Sequence, residues 1–133
     1  MQKVIERLLY DNFIILGMEV KMEELTREVA KVLSVLIAEK ENYTYVDKLG
    51  YAPSKDLAIF YIREALRDFH SLIRGGKFDN SKAKDLAEKI NFGKVERCLD
   101  ELNKIDDKKV LREFLAMISA KALSISATIM KEG

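Results

Sequence analysis

The chain has 133 residues, 48% of them hydrophobic and 34% charged, with 23 basic side chains against 22 acidic ones. That suffices for one soluble domain with its own core, and it is too apolar for a disordered chain. A formal charge of +1 excludes binding to nucleic acid through net charge alone, so any electrostatic recognition must come from local patterning.

Residues 2–16 place Val4, Ile5, Leu8, Leu9, Phe13 and Leu16 at helical spacing, and Gly17 ends the run. Glu6 and Arg7 interrupt the apolar residues and no small-residue cleavage site follows, so we expect no signal peptide and a cytoplasmic protein. Residues 18–40 continue with Met18, Met22, Leu25, Val29, Val32, Leu33 and Leu36 as a core stripe. Glu23, Glu24, Arg27, Glu28 and Lys31 are expected on a solvated outer face, with Glu23 four residues before Arg27. Between Glu41 and Pro53 the pattern breaks. Tyr43, Tyr45, Val46, Leu49 and Tyr51 predict a short helical turn across the bundle, with Thr44 and Asp47 as a capping box.

The next helix, predicted over 54–74, is the most informative part of the chain. Ser54 after Pro53 is the cap candidate and Gly75-Gly76 the stop. Leu57, Ala58, Tyr61, Ile62, Ala65, Leu66, Phe69, Leu72 and Ile73 form one broad apolar arc. Glu64 and Asp68 fall on one flank of it, while Arg63, Arg67, His70 and Arg74 make a basic stripe on the other. Cations spaced in this way can track a phosphate backbone without reading bases, and Phe60 beside them is placed to stack on one. Lys77, Lys82, Lys84 and Lys89, followed by Lys94 and Arg97, are expected to extend the basic surface.

Downstream, Asn80 or Ser81 caps a short helix to about Asn91, Phe92-Gly93 breaks it, and another short helix covers about 94–103. Cys98 falls inside that pattern as a buried thiol; being alone, it forms no internal disulfide and fits a reducing compartment. Asp106 or Asp107 opens a last helix reaching nearly to Lys131. From Phe114 to Met130 its one charged residue is Lys121, a costly residue at the centre of a membrane span. We therefore expect no membrane contact, and a helix central to the bundle or, failing that, a subunit interface. The elements predict an all-α, single-domain bundle of about five to six helices with a long apolar C-terminal helix.

The sequence offers no enzyme signature. Nearby acids (Glu19/Glu23, Glu24/Glu28, Glu96/Asp100) are four apart, not the three-apart pairs that hold magnesium in helical nucleotide pyrophosphatases. One cysteine and one histidine exclude a zinc quartet, and no phosphate-cradling glycine loop is present. Neither a metal nor a cofactor is expected. Abundant lysine and glutamate with a single glutamine resemble thermophile usage.

The stretch YTYVDKLGYAPSKDLAIFYIREALRDFHSLI, residues 43–73, resembles the small helical subunit of archaeal type I-A CRISPR Cascade effector complexes. The resemblance implies a non-catalytic subunit that packs with other Cascade subunits and with copies of itself. Such a subunit helps hold target DNA or the displaced strand by its backbone, while guide pairing supplies sequence recognition. It transfers no functional residues, so the assignment of Arg63, Arg67 and Arg74 rests on the stripe. Two alternatives stay open. Arg63 and His70 are similar in spacing to the Arg-x(4–6)-His pair of HEPN ribonucleases, with arginine for phosphate charge and histidine for proton transfer. A helical protein–protein adaptor would use none of these residues on nucleic acid.

Overall fold

The computed structural model describes residues 22–132; the expected helix over 2–16 and the start of the next lie outside the described residues. The described chain is all helical: α1 (22–40), α2 (Thr44–Gly50), α3 (Lys55–Gly75), α4 (Ser81–Glu88), α5 (Phe92–Asn103) and α6 (Lys108–Glu132). The spine is α1, whose residues from Val29 to Ile37 are buried with the exception of Lys31. Around it gather Ile62, Leu66 and Phe69 of α3, Val95, Leu99 and Leu102 of α5, and Phe114, Leu115 and Ile118 of α6. The short α2 lies across α6 and α3 as predicted, burying Val46 and Leu49, but Tyr43 and Tyr51 of the expected cluster are exposed. The Ser119 hydroxyl of α6 donates to the Val46 carbonyl at 3.3 Å and fixes that crossing.

Cap chemistry sets the boundaries of the elements. Ser54 accepts from the Leu57 N–H, and Gly76 closes α3 at φ 66°, a left-handed conformation that costs glycine little. Asn80 accepts from Lys82 and Ala83 N–H groups to start α4. Asp107 rather than Asp106 opens α6, accepting from Lys109 N at 2.8 Å and Val110 N at 3.2 Å. Lys55, at the start of α3, donates to the Asn103 carbonyl at 2.8 Å and to Asp106 at 3.1 Å, so one ammonium holds the C-terminal end of α5.

Several expectations need correction. Phe92-Gly93 does not break a helix but opens α5, because Asn91 caps it by accepting from the Lys94 N–H. Glycine suits position 93, where a Cβ would lie 3.2 Å from the capping Asn91 oxygen. No Thr44/Asp47 capping box forms; Asn42 accepts from the Thr44 N–H instead. Leu57 and Ile73, at the edges of the α3 arc, are exposed. Helix α6 is not a central helix among the described residues. Leu111, Phe114, Leu115, Ile118 and Ala122 are buried, while Ala116, Ala120, Leu123, Ala127 and Met130 face outward. It is long and apolar enough to cross a membrane by length and composition, yet Lys121 at its middle pairs with Glu23 of α1 at 3.0 Å.

The largest correction concerns Glu28, expected on a solvated face. It is 5% exposed, accepts from the Asn91 N–H at 2.9 Å and pairs with Lys31 at 2.7 Å. Eleven residues on, Glu39 accepts from the Asp79 and Asn80 N–H groups. Three helical turns put both carboxylates on the same face of α1, where they hold the chain just before α5 and just before α4. Burial alone would raise the Glu28 carboxyl. The Lys31 hydrogen bond, the Asn91 N–H and the charges of Lys31 and Lys94 outweigh it and hold the group below its ordinary value.

Replacing Glu28 by alanine leaves the Asn91 N–H unpartnered and is expected to cost about 1–3 kcal/mol in urea unfolding. Because the folded pKa is lowered, this stabilisation is complete above the ordinary carboxylate value and fades as pH falls through the lowered one. The stability gap between wild type and Glu28→Ala should therefore narrow in acid. A gap independent of pH would count against an ionised Glu28 holding the loop.

Candidate functional site

Helix α3 presents its basic stripe to solvent because the opposite face carries Ala58, Ile62, Ala65, Leu66 and Phe69 into the core. At about 100° per residue, Phe60, Arg63, Arg67, His70 and Arg74 fall within an arc of about 80°. All five are exposed, Phe60 at 55%.

The charges are less segregated than the sequence suggests. Arg63 reaches across to Glu96 of α5 with two nitrogens, at 3.3 and 3.4 Å. Arg67 turns back to Glu64 at 2.8 Å. Arg74 enters no ion pair among the described residues. The Arg63–Glu96 pair is open to water, each side chain more than half exposed, while Arg67 is 72% exposed and its partner Glu64 is half-buried at 30%. Such pairs contribute little to stability and can be exchanged for another anion.

His70 stands among aromatic rings. Its ring lies 5.1 Å from that of Phe92, tilted by 30°, and 5.9 Å from that of Phe69 in an edge contact. Phe92 in turn rests on the buried Phe69 at 5.8 Å. Sequence reasoning missed Phe92 by treating it as part of a breaker; the signal available was Asn91, a cap residue that makes position 92 the first of a new helix.

The downstream lysines are exposed, and two grooves gather some of them. Lys82 and Lys89 line a groove of about 400 Å³ against Ser124, Ile125, Thr128 and Ile129 of α6. Lys77 joins Lys40, Asn42, Asp68 and Ser71 around another of about 480 Å³ beyond the end of α3. Neither groove is lined by an arginine of the stripe, and Lys84 is exposed on α4. Beside the second groove, the Tyr45 hydroxyl donates to the Asp68 carboxylate. Burial and that carboxylate together push the Tyr45 phenol up to about 12.

Among the described residues, no group of three or more histidine, cysteine, aspartate or glutamate side chains is placed to hold a metal ion. Cys98 is fully buried in α5, and burial, with a smaller contribution from Glu101, pushes its thiol up to about 12. A thiol so held is a packing group, not a nucleophile.

No family model matches the chain, and no solved structure matches it. A protein of Archaeoglobus fulgidus described as uncharacterized is 55% identical over 101 residues, which cover 76% of this chain and 87% of that one. The chain belongs to that protein's family. The match identifies an archaeal relative of nearly the same extent.

Cys98 should resist a thiol-specific aromatic disulfide reagent in the native protein and react fully once urea unfolds it. Rapid modification without unfolding would contradict its role as a buried packing group.

Proposed function

We propose that this protein is a non-catalytic, all-helical subunit that holds a nucleic-acid strand by its backbone through the arginine face of α3. The observation that carries the proposal is the arc on which Arg63, Arg67 and Arg74 stand exposed together with Phe60, each arginine either unpaired among the described residues or held only by a single carboxylate that is itself partly exposed. Guanidinium groups in that state can leave carboxylate for phosphate, and phosphate offers the same planar two-point contact. Three positions along one helix fix a strand's path without reading its sequence.

The assembly we favour is a crRNA-guided Cascade complex of type I-A, in which this chain would be the small subunit. Support for it is the resemblance of residues 43–73, together with the helical architecture and an archaeal relative. In that setting the partners are other subunits, further copies of this chain and the target or displaced DNA strand. Pairing with the guide carries the specificity.

The test is the salt dependence of single-strand DNA binding, followed by fluorescence anisotropy. Three phosphate contacts predict a slope of log affinity against log salt of about −2, and Arg63→Ala/Arg67→Ala/Arg74→Ala should flatten it towards zero. All three side chains are exposed, so the triple variant should keep its melting curve nearly unchanged. A folded triple variant with undiminished affinity would sink the role given to the stripe.

A further inference from the structure

Exposed phenylalanines normally carry a cost in water, and this chain places two beside its arginines. Phe60 stands near the start of the arc. Phe92, although 39% exposed, is held by the buried Phe69 below and the His70 ring beside it. Phe60 and His70 are ten residues apart on α3, about 15 Å along its axis at 1.5 Å per residue, and Arg63 and Arg67 lie between them. Phe92 reaches this strip from another helix. Asn91 caps α5 at the residue before it, and Glu28 holds that cap from α1. The ring therefore has a position fixed by the fold.

We infer that Phe92 and His70 form a stacking platform for an unpaired base, with Phe60 a second contact one or more nucleotides along the same strand. The ligand class is single-stranded nucleic acid, since a duplex keeps its base faces covered. The inference rests on the backbone-holding role proposed above and adds to it a contact that phosphate alone cannot make. Stacking of this kind tolerates any base, because every base has a π face. Arginines beside the rings supply the backbone contact, so one strip offers both kinds of interaction to successive nucleotides.

The experiment compares the full chain's affinity for a short thymidylate oligonucleotide with its affinity for an abasic oligonucleotide of equal length. Wild type should prefer the base-bearing strand by about tenfold, as expected for one well-stacked base. Phe92→Leu keeps an apolar contact with Phe69 but has no π face, and should lose most of that preference while still binding in a salt-dependent way. Phe92→Tyr should retain it. Equal salt-dependent binding of both strands by wild type would overturn the platform and leave the backbone-holding role standing. A preference unchanged in Phe92→Leu would also overturn the platform at this position. Absence of binding to either strand would overturn both proposals.

Discussion

Two carboxylates on one face of α1 hold the starts of the two short helices that follow α3. Glu28 and Glu39 each accept backbone N–H groups from the chain immediately before a short helix, α5 and α4 respectively. Helices of eight and twelve residues are marginal by themselves, so their placement depends on what holds their first turns. A carboxylate at a helix N-terminus satisfies free N–H groups and favours the positive end of the helix dipole. Asn80 and Asn91 then cap the helices themselves, so each start has one partner from its own chain segment and one from the spine. The consequence reaches the surface. Because Glu28 holds Asn91, the next residue, Phe92, comes to rest against Phe69 and His70.

How much of this was legible in the sequence follows from where each signal resides. The helix at 55–75 could be read within one residue at each end, since Ser54 and Gly76 are local determinants and the apolar arc repeats over several turns. The long apolar α6 was equally legible, but not which of its faces would be covered, because small residues suit both a buried contact and an open surface. Glu28 shows the opposite case. Its neighbours place it with charged residues on α1, and nothing local announces that a backbone N–H from 63 residues away will meet it. The same limit applies to the lysines. Lys82 and Lys89 follow the arginine stripe in sequence, yet α4 packs against α6 and takes them to a different groove.

The arginine face also shows why helical spacing is a weaker guide to charge than to burial. A wheel places residues by angle, and on α3 it puts Glu64 on the far flank from the stripe's centre although Arg67, three residues on, lies only about 60° away. Long side chains then cross that separation: Arg67 bends back to Glu64, and Arg63 reaches another helix altogether. Apolar positions are fixed by close packing in the core and keep their angular assignment, whereas an exposed guanidinium finds whichever carboxylate lies within its reach.

Those carboxylates set the scale of any binding through the stripe. A phosphate that recruits Arg63 or Arg67 must displace Glu96 or Glu64 and then lie near the released acid, so part of each new contact is offset. With a formal charge of +1, the rest of the surface supplies little attraction to compensate. In the proposed role, a single copy would therefore hold a strand weakly and release it readily. Copies arranged along the same strand change the arithmetic, because each contact after the first forms at the high effective concentration set by its neighbours, and modest affinities multiply without any new interaction. Near-neutral charge is then compatible with a strand-holding subunit. It restricts firm binding to the assembled state and leaves a free subunit with only a weak grip on stray nucleic acid.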